Sequence, residues 1–342
     1  MVGMFPGLMI FSDPASADPK SRTPEAERTG FSFSIDEPVS VVSPAVFASP
    51  HSGRLYPKGF LEACTATTLD LRRIEDAYVD RLLADVHECG SPVICGLVAR
   101  AFVDLNRAES EMDPAMFEDP SPGWYGQRSP RVEAGLGCIP RVAHNGTPIY
   151  GRKLKRDEAD RRLEQVYRPY HRALEALLKR AQAMFGQAWL IDCHSMPAEA
   201  ESQRSPDIVI GDRFGASCSP GLADFAEALF RQRGYTTARN SPYAGGYATL
   251  AHGQPSLGRH ALQIEIRRRL YLDEANVLLV LPRELAGRRD ARTTAAAARQ
   301  ERDAVDAELT TTQQTYHAEG QAVSSQQRRV HDLELELLQL QQ

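Results

Sequence analysis

The chain predicts an α/β fold of three layers, helices packed on both sides of a central mixed sheet. Three observations predict it. The 342 residues suffice for one large domain or two ordinary ones. Short β-prone runs alternate with helix-length amphipathic segments, and several chemistry-bearing residues fall at the ends of those runs, where sheets of this class collect ligands.

Strand material comes from "PVSVVSPAVFAS" (38–49), "PVICGLVARAFVDL" (92–105), "AWLIDCHSM" (188–196), "DIVIGD" (207–212) and "HALQIEIRRRLY" (260–271). Helices are expected around 68–87, 156–185, 219–233 and 273–285. In the second of these, Leu163, Val166, Tyr170, Leu174, Leu177, Leu178 and Ala181 form one apolar stripe. Pro169 should kink that helix or divide it, and Gly186 fits its C-terminal cap.

Outside this pattern lie two segments. Residues 1–35 are rich in Pro, Ser, Asp and Glu without a sustained period and read as a loosely attached arm, so the domain is expected over 36–286. Residues 287–342 are rich in Ala, Gln, Arg and Glu and lack proline. Leu309, Tyr316, Val323, Val330 and Leu337 occupy one heptad position and Val305, Thr312, Glu319, Gln326, Leu333 and Leu340 another, so only the last two heptads are properly apolar. This tail reads either as a coiled-coil-like helix able to self-associate or as a solvated, partly helical extension.

Composition narrows the function. The six cysteines are scattered, without C-x-x-C spacing, which argues against a disulfide scaffold and for a reducing, cytoplasmic setting. The apolar patch near the start follows no basic residue and is interrupted by Pro6 and Gly7, unlike a secretory signal. No apolar run approaches the roughly 20 residues that span a bilayer, so no membrane partner is expected. A net charge of -5 and a pI near 6.0 argue against nucleic acid and leave a small-molecule substrate.

Four places carry candidate chemistry. His51, in "FASPHSGRLYP", follows an apolar run and precedes a flexible Ser-Gly step; alone, it reads as a satisfied surface histidine. In "LIDCHSMP", period-two alternation puts Asp192 and His194 on one face at a strand end, where the histidine can bind a metal and the carboxylate orient it or act as a base. Asn106 and Arg107, in "FVDLNR", pair a neutral donor with a planar fork suited to a carboxylate. Glu265 lies between Ile264 and Ile266, where a buried carboxylate is costly without a cation or a proton.

Each has a structural explanation: His194 bonding a loop, Asn106 and Arg107 pairing with acidic neighbours, Glu265 answering the arginines at 267–269. Together they are what hydrolytic zinc chemistry needs, three ligands with an open position for water and a carboxylate for protons. Cys193 should point to the face opposite His194, and Ser195 lacks a G-x-S-x-G elbow, so neither reads as a nucleophile. The glycine pair in "GGYATLAHGQP" reads as an active-site loop.

Taken in order, "SPHSGRLYP", "EDAYVDRL", "VDLNR", "YRPYHRALEALL", "LIDCHSMP", "DIVIGDRFGASCSP" and "GGYATLAHGQPSLGRHALQIEIRRRLYLDE" resemble the N-formylglutamate amidohydrolase family over residues 40–285. The resemblance implies a zinc hydrolase with a metallocarboxypeptidase-like fold. It implies His51 and His194 as metal ligands, Glu265 as general base, and Asn106 with Arg107 as the substrate grip. Metallocarboxypeptidases place a glutamate ligand three residues after the first histidine, and here that position is Arg54. The acidic pair of "IEDAYVDRL" is the replacement, with Asp76 favoured as the ligand and Glu75 beside it, one of the two free to charge a helix start. Arg162 lies on the helix matching the family's "R…YRPYH" segment and is a candidate substrate contact. The implied reaction is hydrolysis of an N-acyl amino acid, N-formyl-L-glutamate first. The alternatives are a deacylase or carboxypeptidase for another substrate, or a non-catalytic scaffold built on such a domain.

Overall fold

Apolar runs too short for helices pair into a sheet, and longer stripes cover it. The computed structural model describes residues 8–10, 32–120, 129–197 and 205–280. Its strands are β1 (Leu8–Ile10), β2 (Phe33–Asp36), β3 (Ala45–Ser49), β4 (Leu55–Pro57), β5 (Val93–Gly96), β6 (Ala188–Met196), β7 (Ile208–Gly211), β8 (Thr237–Arg239), β9 (Arg259–Arg267), β10 (Leu272–Asp273) and β11 (Leu278–Leu279). Seven of them form the main sheet in the order β2-β5-β3-β6-β9-β7-β8. β5, β3, β6 and β9 run parallel, while β2 and the β7–β8 pair oppose their neighbours, so the sheet is mixed. The long central strands β6 and β9 place Leu190 opposite Ala261, Asp192 opposite Gln263 and His194 opposite Glu265.

The helices are α1 (Lys58–Ala63), α2 (Thr68–Arg73), α3 (Val79–Leu82), α4 (Pro130–Glu133), α5 (Arg156–Arg162), α6 (Arg168–Phe185), α7 (Pro220–Gln232) and α8 (Tyr247–His252). On one face of the sheet the α6 stripe of Tyr170, Leu174, Leu177, Leu178 and Ala181 packs with Val46, Ala48, Leu190 and Ala261. On the other face Cys193 and Cys95 pack with Val79, Leu83, Tyr271 and Leu272, and Ala223 of α7 packs with Ile208, Ile210 and Ile264. Cys193 therefore lies on the face away from Asp192 and His194.

Three expected elements differ, each for a local reason. The helix expected over 68–87 is broken into α2 and α3, because residues 74–78 turn aside. Asp76 N–H donates to the His51 carbonyl at 3.0 Å, and Tyr78 adopts φ 65°. The 156–185 stripe forms, but with a π-helical turn at Leu163–Tyr167 that absorbs the missing N–H of Pro169. Gly186 closes it at φ 72°. Residues 272–279 form the β10–β11 hairpin instead of a helix start. The arm expected over 1–35 differs as well: Phe33–Asp36 is the edge strand of the main sheet, and Leu8–Ile10 pairs with β4. The helical tail expected over 287–342 lies outside the described residues.

Candidate active site

β3 delivers the chain to a turn at its carboxyl end, and His51 sits in that turn at 2% exposure. The turn is close against the segment after β5. Leu55 N–H donates to Leu97 O at 2.9 Å, and a Cβ on Gly53 would stand 2.5 Å from Val98 O. The Ser-Gly step thus serves a close backbone contact that a side chain at Gly53 would block.

β6 delivers His194, and the turn after α2 delivers Asp76 between them. Asp76 Oδ2 lies 3.3 Å from His51 Nδ1 and 2.9 Å from His194 Nδ1, and the two imidazole centres are 4.8 Å apart. Ligand atoms about 2 Å from a tetrahedral cation stand about 3.3 Å from one another, so these three donors have the spacing of a metal half-cage. All three residues are buried, and a buried His-Asp-His group of this kind can bind a metal ion.

Carboxylates behind the imidazoles support the same reading. His51 Nε2 meets Asp104 Oδ1 at 2.7 Å and His194 Nε2 meets Asp192 Oδ2 at 2.8 Å. Each imidazole can therefore donate its outer N–H to a carboxylate and present Nδ1 inward, the arrangement that fixes ring and tautomer in metal sites. Asp76 is braced too: its Oδ1 accepts from Ser195 Oγ at 3.1 Å and from Arg268 at 3.2 Å. The same guanidinium holds the carbonyls of Arg73 and Glu75 at 2.9 and 2.6 Å, pinning the whole 73–76 turn.

Charge adds to the argument. Asp76, Asp104, Asp192 and Glu265 are buried together, with Arg100 on Asp104 and Arg268 on Asp76 as their cationic partners. Burial opposes ionisation of Asp76, but hydrogen bonds and charge from His194 and His51 hold it well below the usual carboxylate range. Asp104 is likewise held low against burial, by the charge of Arg100 and His51. Burial also works against a charged His194, yet Asp192 and Asp76 raise it well above the usual imidazole value.

Glu265 occupies the strand position beside His194 at 6% exposure. Burial lifts its pKa to about 7, with His194 pulling the other way. Gln263 Nε2 donates to its Oε1 at 2.7 Å.

The remaining candidates lie around this centre. Glu75 is buried next to Asp76 but faces away from the trio: Oε1 accepts from Tyr56, Oε2 pairs with Arg72 at 3.5 Å, and burial raises its pKa to about 7. Asn106 is interior: its Oδ1 accepts from Ala248 N–H at 2.8 Å, which turns Nδ2 toward Asp192 Oδ2 at 3.3 Å and His194 Nε2 at 3.0 Å. Arg107 donates to the carbonyls of Leu136 and Asn106 at 3.0 and 2.8 Å. Arg162 is not brought to the centre. Its guanidinium stacks 4.4 Å from the Phe102 ring, with Phe60 and Tyr150 alongside, and donates to Phe102 O and Tyr150 Oη.

Sequence reasoning missed Asp104, Arg268 and Gln263. Asp104 had a signal, since it stands two residues before Asn106 in an apolar run. Residues 101–107 form no strand, however, so alternation could not place it.

A sequence profile described as N-formylglutamate amidohydrolase matches residues 43–272. The chain belongs to this amidohydrolase family. It is 32% identical over 241 residues to an N-formylglutamate deformylase of Pseudomonas aeruginosa, covering 68% of this chain and 83% of that protein. A second N-formylglutamate deformylase, from Pseudomonas putida, is 28% identical over 237 residues, 68% of this chain and 82% of its own. The crystal structure of N-formylglutamate amidohydrolase from Ralstonia eutropha JMP134 superposes with a TM-score of 0.69 at 38% identity, over 73% of this chain and 90% of that one. The matched region contains every residue of the centre from His51 to Arg268. Among the described residues, no helix is long and apolar enough to cross a membrane.

Proposed function

We propose that this chain hydrolyses the amide bond of N-formyl-L-glutamate to formate and L-glutamate, with a zinc ion held by His51, Asp76 and His194. The observation that carries the reading is the buried trio of inward-facing donors with a carboxylate behind each histidine. The two relatives named N-formylglutamate deformylase support the substrate. When bound, the cation supplies Lewis acidity, lowering the pKa of a water and polarising a carbonyl.

The chain's own groups do the rest. Glu265, raised to about 7 by burial, takes the proton released as water adds to the formyl carbon and delivers it to the departing amine nitrogen. Asp104 and Asp192 keep the imidazoles in one tautomer. Asn106 has its amide committed to Ala248 and Asp192, so it braces the centre, and Arg107 offers its remaining N–H groups to a substrate carboxylate. Arg162 stabilises the aromatic wall in which it is stacked.

The test is metal content of purified protein alongside turnover of a panel of N-formyl and N-acetyl amino acids. About one zinc per chain and a preference for N-formyl-L-glutamate are expected. Metal-free protein with full turnover would overturn the metal assignment, and preference for another acyl group would overturn the substrate. Glu265→Gln should keep its zinc and lose turnover by about 10²- to 10⁴-fold.

A further inference from the structure

The Glu265 carboxylate accepts one hydrogen bond among the described residues, from Gln263 Nε2 at 2.7 Å. The Gln263 amide can be turned only one way. Gly246 N–H donates to its Oε1 at 2.7 Å, and a backbone donor there requires the oxygen end, leaving the nitrogen for Glu265.

Gly246 is itself fixed. A Cβ on it would stand 2.4 Å from Asn106 Nδ2, and the helix it begins is tied to Asn106 through Ala248 N–H and Tyr247 N–H. Gln263 therefore reaches Glu265 from a rigid base, buried at 4% exposure.

Glu265 is the strand neighbour of His194 and shares its face of the sheet. A carboxylate in that position has two roles open to it beside a cation. It can stay off the metal and accept protons, or it can become a fourth ligand and fill the place that water needs. The attraction of a divalent cation favours the second, and the low exposure of the site leaves little solvent to oppose it. The single hydrogen bond from Gln263 is the contact that opposes it.

We propose that Gln263 is a positioning residue that holds Glu265 off the metal, keeping a coordination position open for water. This deepens the function argued above and rests on its assignment of His51, Asp76 and His194 as ligands and Glu265 as base.

The experiment measures zinc affinity, by competition with a chromophoric chelator, together with kcat and KM for N-formyl-L-glutamate. Gln263→Met should bind zinc more tightly than the parent, by about tenfold for each 1.4 kcal/mol the added ligand contributes, because Glu265 is released onto the metal. Its kcat should fall about 100-fold or more, with KM little changed. A merely structural role would weaken both metal binding and turnover. Gln263→Leu also removes the donor to Glu265 without adding charge; it should behave alike and serves if the methionine variant does not fold. In Gln263→Met with Glu265→Gln the gain in zinc affinity should vanish, since the carboxylate that caused it is gone. Parent-like or weaker zinc binding by the folded single variants, or a gain that persists in the double variant, overturns the proposal. Absence of turnover in the parent would speak against the substrate alone, and the zinc-affinity cycle still decides the role of Gln263.

Discussion

The two histidines of the centre present the same atoms inward but are held by different means. His194 is on a central strand paired on both sides, and its carboxylate partner Asp192 lies two residues earlier on the same strand and face. His51 stands in a turn. Its partner Asp104 is 53 residues away, and that carboxylate is itself fixed by Arg100 at 2.7 Å and by Asn106 N–H at 2.8 Å. The sheet orients one imidazole through covalent continuity, while the other depends on a chain of long-range contacts. Disturbing the second arm should therefore do more damage.

The largest effect is expected where the arms meet. Asp76→Ala removes the atom that faces both imidazoles and should abolish bound zinc, whereas Glu75→Ala, directed at Tyr56 and Arg72, should keep it. Metal analysis of the two variants decides, and the reverse order would move the ligand to Glu75.

Next comes the contrast between the arms. Asp104→Asn should weaken zinc binding by about 10- to 100-fold, because it sets an amide N–H against the Arg100 guanidinium, which loses its counter-ion, and so shifts the oxygen that holds His51. Asp192→Asn retains an oxygen that can accept from His194 Nε2 and should cost less than about tenfold. Equal losses would break the comparison.

A smaller effect concerns the turn that carries Asp76. Glu75 is protonated more readily in the native state, at about 7, than in the unfolded chain, at about 4.3. Its neutral form contributes stability that is complete below about pH 4.3 and lost as pH rises through 7. Glu75→Gln stays neutral throughout, so the variant should match the parent in acid and exceed it above pH 7 by up to about 3 kcal/mol. Urea denaturation at pH 4, 6 and 8 measures this, and a constant difference across that range would refute the burial argument.

The smallest expected effect sharpens the account of the His51 arm. Gly53→Ala drives a methyl against the Val98 carbonyl and should destabilise by about 1–3 kcal/mol, with some loss of metal affinity as the turn shifts. A comparable substitution near His194 has no such lever, since strand pairing holds that residue.

The difference between the arms also separates what could be read from residues alone. Period-two alternation is a local property of the backbone, so "AWLIDCHSM" by itself placed Asp192 and His194 on one face and Cys193 on the other. Apolar runs likewise specified the central strands and the α6 stripe, because burying them is the dominant gain in folding whatever the topology. The flanking isoleucines singled out Glu265, whereas Asp76 was pointed to by the family resemblance and not by its neighbours. Tertiary structure alone decided how these groups are held. Asp76 is 118 residues from His194 and 192 from Arg268, Asp104 is 53 from His51, and Gln263 acquires its orientation from a backbone donor 17 residues earlier. Hydrogen bonds of this kind reach about 3 Å and depend on direction, so they exist only after the hydrophobic sheet has brought distant segments together. That is also why the 68–87 stripe misled: helical periodicity there gives way to the turn at 74–78, where Arg268 and the His51 carbonyl bind the backbone.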